Sequence, residues 1–409
     1  MKIVSNLLVF LVALTLSLGM AELVLRHSVP FQSGTSFIYR IPDRDLGWKL
    51  QRDTKYLNEL QEKTVRVSYN SQGWRDAEHE KKKPADTYRV LILGDSFMES
   101  YSVEFEESFA SLIGSSLQPL SEKKIEVINF GVGGFSTYQE YLSLLHEGKE
   151  YEPDLILLAF FIGNDLQNNS YKLEKKMFKK TFKVISRPFL EKSDSGWRHR
   201  PVDYEKAKSL YLEQKENFLK KYSKPSLLDR FALWKITSCF FSPGPTCPGM
   251  TSLSDILIEV QKPKKLGVAV HKCTTDPDYM QAWEVTQEIF RRIKTEADTL
   301  HAPLVVFSVP SYYEVDDSLL EEAEAHYKET TPLCIRTSPA YETLENTLHG
   351  LGIEYVNLLP GFRQKSGGNG ELLFWRSDLH WNPEGHKLAA DSLSAFIASR
   401  RLLPSHKTT

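Results

Sequence analysis

The chain has 409 residues, 41% hydrophobic and 25% charged, with 51 Lys plus Arg against 53 Asp plus Glu for a net charge of −2. Values this near globular averages exclude a wholly disordered chain, a collagen, a coiled coil and a polytopic membrane protein, and the balanced charge argues against a nucleic-acid binder. The length allows one to three domains. Four cysteines, Cys239, Cys247, Cys273 and Cys334, form no CxxC pair and fit neither a zinc site nor a disulfide scaffold.

In chain order, residues 1–26 read as an export signal: Met1-Lys2 leads an apolar run from Ile3 to Leu18 whose polar members are Ser5, Asn6, Thr15 and Ser17. Cleavage after Gly19-Met20-Ala21 is one fate. The expected one is retention as a membrane anchor, because the run to Leu25 is about 23 residues against the ~20 that span a bilayer, with Glu22 at the interface. The rest of the chain then lies outside the cytoplasm, where disulfides form, and Cys239 and Cys247 are close enough for a small loop.

Residues 27–85 are mixed and polar and read as a wrapping segment. Short β-rich runs follow, each closed by glycine: Tyr88 to Leu93, Ile125 to Phe130, and Leu155 to Ile162. Helical-length stretches, Ser108 to Leu117 and Thr137 to His146, lie between them, so the order implies a parallel sheet with crossovers. The alternation resumes with Tyr279 to Leu300, Leu304 to Val309 and Ile353 to Leu359, and ends in a helix from Pro383 to Arg400 capped by Asn382. The expected organisation is one α/β domain over 86–400 and a short tail, 401–409.

A largely helical insertion, 167–276, interrupts that domain. From Tyr171 to Lys235 there are 18 Lys plus Arg against 8 Asp plus Glu, a local +10 that leaves −12 for the rest. Lys172 to Lys183 interleaves Met177, Phe178 and Phe182 with six lysines. The pattern suits an anionic membrane surface or glycan, or a solvated insertion whose aromatics pack on the body.

Four blocks carry chemistry. Gly94-Asp95-Ser96 ends the first strand, where open α/β sheets place ligands, and sets Ser96 near a helix amino terminus. Asn129 to Thr137, with Gly131, Gly133 and Gly134, ends the second and lets a backbone amide approach a substrate. Asn164 follows the third, with a side-chain amide able to donate to an oxyanion. Asp378 and His380 precede the last helix. His386 adds an imidazole without the carboxylates a metal needs, so no metal or cofactor is expected. The glycines lack dinucleotide spacing. Asp95 and Asp165 could be read as a glycosidase pair, but each is explained by its block. Trp375, Trp381 and Phe374 either line an acyl or sugar pocket or pack in the core.

Together the four blocks resemble the SGNH hydrolases, also called the GDSL family, over ~85–166 and ~279–400. The resemblance implies a three-layer α/β/α, flavodoxin-like fold. It implies Ser96 as nucleophile, His380 as general base, Asp378 as its orienting carboxylate, and an oxyanion hole of Ser96, Gly134 and Asn164, with Gly131 as the alternative glycine. Asp95 and Trp381 are candidates for substrate contact. Asn70 to Arg75 resembles a segment of exported, membrane-anchored bacterial members. The family block usually has Asp three residues before His; here that position is Ser377 and the carboxylate is two before, a spacing similar to polysaccharide-acetylating relatives.

The implied function is a serine esterase or O-acyltransferase acting on an ester, preferably acetyl, of a carbohydrate or cell-envelope glycan. A lipid or short-chain carboxylesterase and a non-catalytic glycan-binding envelope protein are the alternatives.

Overall fold

Three runs dominated by Val, Ile, Leu and Phe form the inner strands of the sheet, and they lack polar alternation because helices cover both faces of a parallel sheet. The structure is a computed structural model and describes residues 2–28, 39–60, 62–178, 182–222, 269–273, 276–327, 333–337 and 339–404. Its strands are β1 Arg40–Asp43, β2 Gly47–Leu50, β3 Lys55–Glu59, β4 Thr64–Ser68, β5 Thr87–Leu93, β6 Lys124–Asn129, β7 Leu155–Phe161, β8 Phe189–Ser193, β9 Gly196–Arg200, β10 Leu304–Val309 and β11 Glu354–Asn357.

The central sheet has the order β11-β10-β7-β5-β6, with every pair parallel. Every position of β5 and β10 is buried, and every position of β7 but the last. After β5 the chain adds β6 on one side, then returns to add β7, β10 and β11 on the other. The order therefore reverses between β5 and β7, and in such sheets the carboxyl ends of the two strands flank a crevice. Ser96 follows β5 and Asn164 follows β7.

The amino-terminal segment is more regular than its mixed sequence implies. β1 pairs with β2 and β3 with β4, both antiparallel. In β3 and β4 buried and exposed residues alternate, with Val65 and Val67 turned inward. The pattern is legible, but each strand is only five residues long and escapes a search for longer runs. The insertion is likewise not all helix: beside helices Tyr171–Phe178, Phe182–Ser186 and Tyr204–Tyr222 it holds the antiparallel hairpin β8/β9.

A disulfide joins Cys273 to Cys334. The loop suggested for Cys239 and Cys247 falls on 223–268, outside the described residues, as do the side chains of Met177, Phe178 and Phe182. Residues Lys2–Ser28 form one helix, along which Leu7, Phe10, Leu14 and Leu18 are exposed. By length and hydropathy, no helix among the described residues qualifies to cross a membrane.

Candidate active site

Gly94 turns the chain out of β5 in a space that only glycine fits, since a Cβ there would lie 2.4 Å from Met98 Cγ and 3.1 Å from Ala159 Cβ. A short helix, Ser96–Glu99, begins at once. The Asp95 carboxylate caps it by accepting the Phe97 amide at 3.0 Å. Its other end is held by Arg75, whose guanidinium donates to the carbonyls of Glu99 at 3.3 Å, of Ser100, and of Val103 at 2.6 Å. A buried cation on the last carbonyls satisfies acceptors that a four-residue helix cannot.

His380 comes to this helix across 284 residues of sequence and places Nε2 2.7 Å from Ser96 Oγ. On its other side, Nδ1 lies 3.1 Å from the Asp378 carbonyl oxygen, in hydrogen-bond alignment, and 2.9 Å from Asp378 Oδ2. The carboxylate is close but off the N–H axis, so Oδ2 has no aligned donor and acts on the ring chiefly through its charge. The two-residue spacing thus brings both a carboxylate and a carbonyl to one nitrogen. Leu379 makes this possible by adopting φ +62°, a left-handed conformation that costs a leucine about 1–2 kcal/mol.

The surrounding loop is tied down. Trp375 N donates to His380 O at 2.9 Å, and Leu379 N to Trp375 O at 2.8 Å. The Ser377 amide donates to Glu62 Oε1 at 2.9 Å and its hydroxyl to the other carboxylate oxygen. Trp375 Nε1 donates to Ser102 O at 3.0 Å, and Asn382 caps the following helix by accepting the Gly385 amide at 3.1 Å. Burial pulls the His380 imidazole down, but the close Asp378 carboxylate, the charge of Asp95 and the bond to the Asp378 carbonyl outweigh it, so the ring titrates above its ordinary value.

Asn164 donates through Nδ2 to Asp95 Oδ2 at 2.9 Å. One amide hydrogen is thereby committed, which orients the group, and the second is left to donate elsewhere. Beneath it, Asp165 accepts the Phe161 amide at 2.7 Å. Asp165 and the neighbouring Glu140 are fully buried, and burial first, then the charges of neighbouring carboxylates, pushes both well above the usual carboxylate range.

The two candidate glycines separate cleanly. Gly131 donates its amide to Asn129 Oδ1 at 3.0 Å and packs so tightly that a Cβ would lie 2.4 Å from the Met98 backbone; its role is packing. Gly134 is partly exposed and has φ +76°, a conformation that favours glycine. Ser96, Gly134, Asn164 and His380 are all partly accessible at the carboxyl ends of the strands.

Two sequence assignments need correction. Trp381 is fully buried, with its ring 5.1 Å from Phe97, 5.3 Å from Phe362 and 5.5 Å from His386, and so supports the site from behind without facing a substrate. Asp95 is buried too, its oxygens taken by the Phe97 amide and Asn164, and it positions those groups instead of contacting substrate. Phe374 is core, whereas Trp375 is half-buried. His386 accepts the Phe109 amide through Nδ1 at 3.2 Å, and burial depresses its titration to about 3, so it stays neutral. Among the described residues no group of three or more His, Cys, Asp or Glu could hold a metal.

Sequence reasoning missed Glu99, Arg40, Tyr101 and Glu62. Glu99 is fully buried at the end of the Ser96 helix, where its carboxylate accepts Tyr69 Oη at 2.8 Å and the Gly133 amide at 2.5 Å and faces Arg40 at 3.3 Å. The Tyr101 ring lies 5.3 Å from that of His380. A Glu three residues after the serine is a local signal, but nothing in the sequence says that it turns inward.

Residues 281–409 match the family model described as SGNH hydrolase-like domain, acetyltransferase AlgX. No curated protein sequence matches the chain. Similar solved structures include a lipase/acylhydrolase from Enterococcus faecalis, 9% identical over 78% of this chain and 100% of that one, with a TM-score of 0.37. The acetyl xylan esterase AlAXEase is 11% identical over 76% and 99%, with a TM-score of 0.37. The acetylxylan esterase Axe2 from Geobacillus stearothermophilus is 10% identical over 78% and 97%, with a TM-score of 0.38. Likenesses this distant carry no functional weight. Over residues 281–409, which hold Asp378 and His380, the match is to an SGNH hydrolase-like domain of the family the four blocks resemble.

Proposed function

We propose that the protein is a serine esterase or O-acyltransferase that carries an acyl group, preferably acetyl, on Ser96, with an ester of a carbohydrate or cell-envelope glycan as donor or product. The observation that carries the reading is the 2.7 Å contact of His380 Nε2 with Ser96 Oγ, with Asp378 behind the ring. The description of the matching family as an acetyltransferase supports acetyl over a longer chain.

In this reading Ser96 Oγ attacks the ester carbonyl while His380 Nε2 takes the hydroxyl proton, and the negative charge of the tetrahedral intermediate is met by the Ser96 and Gly134 amides and by Asn164. The alcohol leaves with the proton returned from His380. Water or a sugar hydroxyl then attacks the acyl-enzyme by the same route in reverse, giving acid or new ester and restoring Ser96. Asp378 stabilises the imidazolium, and its carbonyl holds the tautomer that keeps Nε2 unprotonated before attack.

We propose further that the domain works outside the cytoplasm, with helix Lys2–Ser28, which does not qualify to cross a membrane, resting its apolar side chains on the membrane surface. The Cys273–Cys334 disulfide fits an oxidising compartment, and the exposed apolar side chains along the helix need an apolar surface to cover them. Release after cleavage of the signal is the other outcome, and membrane fractionation distinguishes the two.

The deciding experiment treats the folded protein with a fluorophosphonate probe and with acetyl, butyryl and longer esters, with and without sugar acceptors. Labelling of Ser96 that disappears in His380→Ala, with acetyl turnover, supports the reading. A folded protein that neither labels nor turns over any ester is a binding module instead.

A further inference from the structure

The four blocks identify the groups around Ser96 without explaining what aims the Gly134 amide. The peptide between Gly133 and Gly134 is trans, so the Gly133 carbonyl and the Gly134 N–H point in opposite directions. Inside the protein the Gly133 oxygen accepts the indole N–H of Trp48 at 3.3 Å, and the Gly134 N–H is therefore directed away from Trp48. Among the described residues that N–H donates to no backbone acceptor.

The next carbonyl is held as well. Gly134 O accepts Arg187 Nη2 at 2.9 Å. The guanidinium lies 5.1 Å from the Trp48 ring centroid, donates to Gln139 Oε1 and faces Glu174 at 3.4 Å. Trp48 and Arg187 are 2% and 1% exposed, so neither competes with water for these bonds. Both lie outside the four blocks, Trp48 on β2 of the amino-terminal segment and Arg187 just before β8 of the insertion.

We propose that Trp48 and Arg187 are positioning residues: clamping the carbonyls on either side of the Gly134 N–H, they hold that donor toward the oxygen of the substrate carbonyl as it becomes negative. This rests on the acyl-transfer reading. It assigns the wrapping segment and the insertion a part in the reaction, because each supplies one side of the clamp. A donor held in place before the reaction needs no reorganisation during it, and small misplacements weaken it steeply.

The test uses the full-length protein, p-nitrophenyl acetate and a fluorophosphonate. Trp48→Phe removes the indole N–H and keeps an aromatic ring, while Arg187→Lys keeps the charge beside Glu174 and loses the fork. The expected result for each is a kcat about 10-fold lower with KM within about two-fold, and slower labelling of Ser96. Amide exchange over 131–136 should be faster. An unchanged kcat in Trp48→Phe, or a rise in KM alone, overturns the proposal even if the melting temperature falls. If the parent protein neither turns over ester nor takes the probe, the acyl-transfer reading fails on its own. The exchange measurement then decides the clamp: faster exchange over 131–136 in Trp48→Phe supports it, and unchanged exchange overturns it.

Discussion

The Glu99 carboxylate accepts the Gly133 amide at 2.5 Å and thereby joins the helix that begins at Ser96 to the loop that carries Gly134. Ser96 and Gly134, the proposed nucleophile and oxyanion donor, are thereby linked through one buried side chain, which Arg40 and Tyr69 hold from the amino-terminal segment. Replacing Glu99 by Ala leaves the Arg40 cation and the Gly133 amide without a partner. It should cost about 3–5 kcal/mol of stability, the usual penalty for removing one side of a buried pair. Glu99→Gln keeps an acceptor oxygen and should lose less. Urea unfolding of the two variants measures the difference, and equal stability of Glu99→Ala and the parent would refute this role.

Asn164 has one amide hydrogen on Asp95, and in the proposed mechanism the other donates to the oxyanion. Asn164→Ala should lower kcat by roughly 100-fold, the usual cost of one such donor, with little change in KM. Steady-state kinetics on an acetyl ester check this, and a KM effect alone would place Asn164 in ground-state binding.

His380 titrates above its ordinary value: burial alone would pull it down, and Asp378 outweighs that. A general base must be neutral, so the acid limb of kcat/KM should lie above 6.5, the ordinary histidine value. In Asp378→Asn the charge is lost and burial dominates, so the limb should move to lower pH. The Asp378 carbonyl at 3.1 Å remains and still holds Nδ1–H, so the activity loss should fall well short of the ~10⁴-fold seen where the carboxylate is the ring's main support. A pH profile of parent and variant gives both numbers.

His386 is held neutral by burial, titrating near 3. Below its unfolded value of about 6.5 the unfolded chain takes a proton that the folded chain refuses, so stability should fall as pH drops from 6.5 toward 3. At pH 4 the loss from this group is on the order of 3 kcal/mol. His386→Gln keeps an acceptor for the Phe109 amide and should flatten that part of the curve; an unchanged slope would show that other groups set it.

Cys273 and Cys334 are 61 residues apart. Closing a loop of that length restricts the unfolded chain by about 4 kcal/mol. Cys273→Ser with Cys334→Ser should lower the unfolding free energy by up to that amount and leave kcat unchanged, as read by denaturant titration with and without reductant.

Much of this was legible in the order of residues. Parallel strands buried on both faces read as nearly unbroken apolar runs, so β5, β7 and β10 appear within a residue or two of their ends, and the glycine after Phe130 marks the end of the edge strand β6 as closely. Gly94, Asn164 and the cap at Asn382 do local work and leave local signatures. The pairing of Cys273 with Cys334 was not legible, nor was the exclusion of Gly131, whose amide is spent on Asn129.

By itself, then, the sequence determined the sheet, the four blocks and the chemistry they suggest, because strand period, turn residues and helix caps act over a few neighbours. Only the tertiary structure decided that His380 meets Ser96 across 284 residues, that Asp378 reaches Nδ1 from two positions away, that Trp381 is core, and that Trp48, Arg187, Glu62 and Glu99 hold the site. Those contacts join elements far apart in the chain, and a buried donor or carboxylate carries no mark in sequence of the partner it will find once the core closes around it.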